Sequence, residues 1–374
     1  AVIDDSVGVV QMTLSGPAPT DEGDRFVFCV TLDRQSSQTL QVAYDSRDGS
    51  AVAPQDYTAV SNVLTFSAGT TKLTIGVQTF DDQISECTEN FHLDLTAPLG
   101  AVCDSVTINV ATAMSLIVDN DASNFTVAAP VSDVEGTRLL FDVTIDKASE
   151  QTVQVNYATS DETAESGMDY GATSGTLEFS AGTTWLTVGI PTLDDDVNEC
   201  PEVVRLTLSE PHGSGCVAVG LGMSETVTGM INDNDMPELQ VHSLGPVTEG
   251  DFAVFYVSLD IVSQQSITVA YNTTDDSATS PADYSATDDV LTFLPGITGM
   301  TVAIGTNIDA VVECSEPFIF ELTTATAPCS LVQLAVASAF GIIDDTGFVH
   351  VDVGAVSTAN EGDRVVFGIT LDAA

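Results

Sequence analysis

The sequence repeats itself at about 113 residues, and that period constrains its fold more than any other feature. Four Glu-Gly segments align: DEGDRFVFCVTLD from Asp21, VEGTRLLFDVTID from Val134, TEGDFAVFYVSLD from Thr248 and NEGDRVVFGITLD from Asn360. Their glutamates, Glu22, Glu135, Glu249 and Glu361, lie 113, 114 and 112 residues apart. Other markers keep step. DGSAVAPQDY, DETAESGMDY and DDSATSPADY end at Tyr57, Tyr170 and Tyr284, and LTFSAGTT, LEFSAGTT and LTFLPGIT follow in turn. LIVDND, MINDND and GIIDDT close the repeats at Asp121, Asp235 and Asp345. A chain of 374 residues has room for about three domains of this size.

Within a repeat the periodicity is that of strands. FVFCVTL, LQVAY, KLTIGVQ and FHLDL alternate apolar with polar residues and are rich in β-branched and aromatic side chains. Turn residues fall between them at the short intervals of a sandwich, and no stretch sustains a helical period with caps. The expected fold is all-β: tandem seven-stranded antiparallel immunoglobulin-like β-sandwiches, end to end with almost no linker. The expected division is 7–121, 122–235 and 236–345 for three whole repeats. Residues 1–6 match the close of a preceding repeat and 346–374 the first two strands of a fourth. Two strands cannot bury a core, so that fourth repeat is expected to continue in further residues or to be completed by another chain. The opening AVIDDS is read as part of a longer or processed protein.

Charge narrows the partners. The formal net charge is −47, from 55 acidic and 8 basic residues, while 44% of the chain is apolar, so the composition is that of a globular protein. No Lys/Arg cluster exists to displace counterions from nucleic acid or anionic lipid, and cations are the natural partners. Acids scattered over all faces would mark adaptation to high salt; acids recurring in register mark a metal site. No apolar run is long enough to be read as a membrane span, and no basic-then-apolar leader is seen.

The ordered motifs Glu-Gly, D-x-[ST]-A-x(4)-D-Y, F-x-x-G-x-T, D-D-x-x-x-E-x-x-E and I-x-D-x-D resemble those of the Calx-β family, and the resemblance covers nearly the whole chain. It implies that the first-to-second, third-to-fourth and fifth-to-sixth strand loops meet at one end of each sandwich, beside the end of the last strand. It also implies that the acids there bind Ca²⁺. In the first repeat these are Glu22, Asp56, Asp81, Asp82, Glu86, Glu89, Asp119 and Asp121; in the second, Glu135, Asp169, Asp194, Asp195, Glu199, Glu202, Asp233 and Asp235. The third keeps Glu249, Asp283, Asp309, Glu313, Glu316, Asp344 and Asp345, but Ile308 replaces one aspartate and Thr346 another acid, so fewer or weaker ions are expected. Ca²⁺ takes six to eight oxygens in an irregular shell. Eight carboxylates within ~10 Å repel one another unless neutralised, so several ions per junction are expected. Asp48, Asp161 and Asp275 are read instead as residues of the turn before the next strand.

Six of the seven cysteines also recur in register: Cys87, Cys200 and Cys314 in the acidic loop, and Cys103, Cys216 and Cys329 after the sixth strand. Regular spacing implies disulfides and an oxidising compartment. Pairing within a repeat conflicts with strand direction. The sixth strand carries the chain about seven residues away from the acidic end, roughly 20 Å at ~3.3 Å per residue, whereas a disulfide needs Cα atoms about 5.5 Å apart. The acidic end of one repeat faces the opposite end of the next. The expected bonds are therefore Cys87–Cys216 and Cys200–Cys329, with Cys103 and Cys314 directed to neighbours beyond these repeats and Cys29 a free thiol; a long loop after the sixth strand that folded back would instead restore Cys87–Cys103.

Little else suggests chemistry. His92, His212, His242 and His350 occupy unrelated positions in the repeat and are read as surface residues. No nucleophile elbow, zinc-protease motif or phosphate-binding glycine loop is present. The acids are too crowded, and lack an aromatic cleft, for a glycosidase. Trp185 is read as a packing residue. The function expected is that of a non-enzymatic, extracellular or cell-surface protein, a stalk, fibre or filament whose junctions Ca²⁺ stiffens. Its partners would be Ca²⁺, further repeats or other copies of itself. The rival readings are the stalk of an adhesin with cell-surface or matrix ligands, and a calcium-sensing regulatory module.

Overall fold

A computed structural model describes residues 9–99, 106–309, 311–345, 347, 350–354 and 358–371. The first repeat contains β1 (Val10–Ser15), β2 (Thr20–Asp21), β3 (Arg25–Leu32), β4 (Leu40–Asp48), β5 (Ser61–Phe66), β6 (Lys72–Gln78), β7 (Ile84–Ser85), β8 (Glu89–Leu99), β9 (Val106–Val110) and β10 (Thr112–Val118). One sheet has the order β6-β3-β1-β9 and the other β2-β10-β8-β4-β5. The second and third repeats reproduce this pair of four- and five-stranded sheets. Each is an immunoglobulin-like β-sandwich.

Alternation decides which residues meet between the sheets. In β3, Phe26, Phe28, Val30 and Leu32 are buried while Val27 between them is 49% exposed. They join Val10, Met12 and Leu14 from β1 and Phe91, Leu93 and Leu95 from β8 in one core. Burying each such side chain contributes about 1.5–3 kcal/mol. Phe91 sits at the centre, edge-on to Phe26 and Phe28 and stacked on Tyr57 at a centroid distance of 4.5 Å. Trp185 departs from its expected packing role. It lies on a strand of the second repeat but is 56% exposed, because its strand position points away from the facing sheet.

The main ladders are antiparallel, and two short parallel pairs are added to them: β1 with β9, and β2 with β10. They arise because the first and last strands each change sheets. Between β1 and β2 lies Gly16-Pro17-Ala18-Pro19; a proline has no N–H for the ladder, so the first sheet releases the chain there. Pro130 and Pro246 lie at the same crossover in the next two repeats. The crossover positions the acids. The β2–β10 register sets Asp21 against Val118, and the Glu22 amide donates to the Val118 carbonyl at 3.0 Å. Glu22 is thereby brought beside Asp119, and β8, antiparallel to β10, starts at the same end with Glu89 opposite Ile117.

Beyond the third repeat, Val351–Val353 pairs antiparallel with Ile369–Leu371. Cys103 and Thr346 lie outside the described residues.

Candidate metal centres at the acidic ends

The Glu-Gly turn begins each centre. Gly23, Gly136 and Gly250 have φ of +78°, +72° and +83°, a left-handed backbone that glycine adopts without strain. A Cβ on Gly23 would come within 2.9 Å of the Asp81 Cβ, and one on Gly136 within 3.0 Å of that of Asp194. In the third repeat the neighbour of Gly250 is the Ile308 side chain, so an apolar group stands where the other repeats hold a carboxylate.

The loop carrying Asp56 is held by a buried tyrosine. The hydroxyls of Tyr57, Tyr170 and Tyr284 donate to Asp48, Asp161 and Asp275 at 2.6 Å in every repeat. The same aspartates accept backbone amides from Ala53, Ser166 and Ser280, so their oxygens serve the turn. Asp56 also accepts the Val52 amide at 2.6 Å, and its carbonyl accepts the Phe80 amide at 3.0 Å, which ties its loop to that of Asp81 and Asp82.

Carboxylates gather in two groups at the end of the first repeat: Glu22, Asp119 and Asp121, and Asp56, Glu86 and Glu89. In each group, one oxygen from every residue lies within 4.8 Å of the others. The second repeat brings together Glu135, Asp195 and Asp235, and Asp169, Glu199 and Glu202; the third brings together Glu249, Asp309 and Glu313. Asp119 joins the loops, accepting the amides of Glu86 and Asp121 at 2.9 Å each, and Asp233 does the same for Glu199 and Asp235. Asp82, Asp195 and Asp309 accept the amides of Ile84, Val197 and Val311 within their own loops. Asp81 and Asp194 accept from the Asn120 and Asn234 side chains. In the third repeat Asp283 accepts the Thr279 amide, Asp344 the Ser315 hydroxyl and Asp345 the Glu313 amide, and Glu316 begins the strand Glu316–Thr326.

This crowding has an electrostatic signature. Burial, then the charges of Asp119, Asp82 and Asp81, push the Glu22 carboxyl up to about 7 against the hydrogen bond from the Asn120 backbone. Burial leads for Glu86 and Glu89 as well, followed by Asp82 for the former and Asp56 for the latter; both reach about 7. Glu135 rises to about 7 and Glu202 to about 8, again mainly through burial. Glu249, Glu313 and Glu316 shift in the same direction.

The donor set fits a hard divalent cation. Every side chain in these groups offers carboxylate oxygen, the ligand Ca²⁺ prefers. Four buried carboxylate oxygens, Glu22 Oε1, Asp121 Oδ2, Glu202 Oε2 and Asp235 Oδ2, have no hydrogen-bond partner. Orphaned buried oxygens of this kind are costly unless a cation meets them.

The acidic ends are also the junctions. β7, within the acidic loop, pairs in parallel with Ala148–Ser149 of the second repeat, and Val197–Asn198 pairs likewise with Val262–Ser263 of the third. Disulfides Cys87–Cys216 and Cys200–Cys329 join the same loops to the following repeat, with Cα atoms 5.1 and 5.5 Å apart. Cys29 and Cys314 are free thiols. Asn198, which motif spacing did not single out, is fully buried at the second junction. It donates to Asp233 at 2.9 Å and to the Asp235 carbonyl at 2.8 Å, and accepts from Ser263, Gln265 and Ser330 of the third repeat. Gln264 of the third repeat donates to Glu199. Of the histidines, His92 differs from the surface reading. It is half-buried in β8 opposite Met114, with its Nδ1 enclosed.

The sequence profile of the Calx-beta domain matches residues 4–121, 119–235 and 245–347. The chain belongs to the Calx-beta family. It is a tandem of these calcium-binding β-sandwich domains. Among curated relatives, Extracellular matrix protein 3 of Lytechinus variegatus is 28% identical over 273 residues, 68% of this chain and 9% of that protein. Sodium/calcium exchanger 1 of Bos taurus is 30% identical over 194 residues, 47% of this chain and 20% of that protein. The Calx-beta chain thus spans only a small part of either relative. The crystal structure of CBD12 from CALX1.2 aligns with 60% of this chain and all of its own, at 19% identity and a TM-score of 0.29.

Proposed function

We propose that the chain is a non-catalytic, extracellular structural segment in which Ca²⁺ stiffens successive repeats into a stalk, fibre or filament. The repeats are divided at 7–121, 122–235 and 236–345. One observation carries this reading: the loop that bears Glu86 and Glu89 also pairs with the next repeat and is disulfide-bonded to it. A cation bound by that loop acts on the angle between two sandwiches and not on one sandwich alone. The ligands would be the acids of each end, from Glu22 to Asp121, Glu135 to Asp235 and Glu249 to Asp345, with several ions per junction. The disulfides, and the relative described as an extracellular matrix protein, support an oxidising compartment outside the cell. Further repeats of the same chain, or other copies, would be the structural partners.

Small-angle scattering of the whole chain with Ca²⁺ and with a chelator tests the proposal. Calcium is expected to narrow the distribution of maximum dimensions toward an extended rod. Identical curves in both conditions would overturn it.

A further inference from the structure

The two junctions differ in a way the repeat motif conceals. The ion pairs of the described residues include Arg34–Asp33, Arg47–Asp94, Arg205–Glu162 and Lys147–Asp121. The last of these enters an acidic end. Lys147 belongs to the second repeat, in the loop just before Ala148–Ser149, the pair that binds β7. Its carbonyl accepts the hydroxyl of Ser123, which is fully buried at the start of that repeat, so its backbone is held against the junction. The ammonium bonds the first oxygen of Asp121, a residue 5% exposed, whose second oxygen is buried and unpartnered. Asp121 shares its group with Asp119 and with Glu22, whose Oε1 is orphaned in the same way.

In the third repeat, Ser-Leu-Asp-Ile aligns with Thr-Ile-Asp-Lys, and Ile261 stands at the position of Lys147. No ammonium reaches the second acidic end among the described residues. Asp235, the counterpart of Asp121, keeps a buried oxygen without a partner, and it shares its group with two further carboxylates, Glu135 and Asp195.

We propose that Lys147 is a built-in counter-cation, delivered by the second repeat, that replaces one metal ion in the Glu22–Asp119–Asp121 group. It sets the first junction before calcium arrives, whereas the second junction depends on calcium throughout. An ammonium carries one charge and can donate to at most about three oxygens, where Ca²⁺ carries two and gathers six to eight. The first end therefore remains a metal site at Asp56, Glu86 and Glu89, with one ion fewer than its acids suggest. The inference rests on the calcium reading above.

The test compares the parent 374-residue chain with Lys147→Ile and Ile261→Lys, each the residue found at the aligned position of another repeat. Equilibrium dialysis with radioactive Ca²⁺ counts bound ions, and scattering in chelator measures flexibility. Lys147→Ile is expected to bind about one more ion per chain and Ile261→Lys about one fewer. In chelator, Lys147→Ile should broaden the distribution of dimensions and Ile261→Lys should narrow it. A parent that binds calcium, with unchanged ion counts in both variants, overturns this inference and leaves the calcium reading standing. A parent that binds no calcium overturns both. Should Lys147→Ile fail to fold, Ile261→Lys decides alone by the same two readouts.

Discussion

Replacing Glu22 with glutamine should stabilise the metal-free protein, against the usual result of altering a buried residue. The Glu22 carboxyl is 8% exposed and is pushed from 4.5 to about 7, chiefly by burial and then by Asp119, Asp82 and Asp81. A raised carboxyl favours the folded state fully only below its unfolded value. That contribution disappears as pH climbs from 4.5 through about 7, when the folded chain must lose the proton. At about 1.4 kcal/mol per pH unit the interval corresponds to about 3 kcal/mol, and screening by water at the open end reduces it to about 1–3 kcal/mol. Glutamine has the same shape, no proton to lose, and an amide that can donate to Asp119 or Asp121. In chelator at pH 8, calorimetry should show the first-repeat transition of Glu22→Gln above the parent's by about 4–12 °C. At pH 4 the two should coincide. Calcium should raise the transitions of both proteins, because it stabilises the native state by mass action at Asp56, Glu86 and Glu89, which the substitution leaves intact. A variant that melts with or below the parent in chelator at pH 8 would refute the reasoning.

Calcium should raise the melting temperature of the parent at pH 8 and much less at pH 5, where protons already occupy Glu86 and Glu89, each with a carboxyl near 7; equal gains at both values would count against it. Tyr57→Phe removes the 2.6 Å bond to Asp48 and should cost about 1–2 kcal/mol in urea unfolding, because it leaves a charged acceptor with one donor fewer. Ile308→Asp restores the missing carboxylate beside Gly250 and should tighten calcium at the third repeat at least about tenfold by titration calorimetry, an effect a surface aspartate elsewhere would not give. Peptide mapping without reductant should recover Cys87 linked to Cys216 and Cys200 to Cys329, and Cys200→Ser with Cys329→Ser should widen the scattering distribution without lowering strand content.

What could be read from the residues, and what could not, divides along a physical line. Features that each repeat needs for itself recur in register. The buried face of β3 and the Asp48–Tyr57 pair therefore showed in one sequence as threefold repetition. Acids recur as well, and strand direction brings them to one end; the structure gathers Glu22 with Asp119 and Asp121, although 97 residues separate Glu22 from Asp119. Strand crossovers were less visible. β2 has two residues, too few to show an alternation, and only the prolines at 17 and 19 signal its release from the first sheet. Trp185 misled because aromatic content marks a strand but not the face on which a residue falls.

Junction residues were hidden for a different reason. Ser85 and Asn198 occupy the same position in their loops and both are fully buried, yet they differ in type because each answers a different neighbour. Ser85 meets Ser149 and Ala218, whereas Asn198 must satisfy Asp233 along with Ser263, Gln265 and Ser330. Lys147 and Ile261 differ at one position for the same cause. Repetition reports what every domain shares, so it cannot report what distinguishes one contact from the next. In an array of like domains those contacts are where stiffness can vary along the length. The first junction combines a disulfide, a strand pair and an ammonium; the second combines a disulfide, a strand pair and an amide network centred on Asn198. The acids recur in register, and the residues that face them differ from one junction to the next.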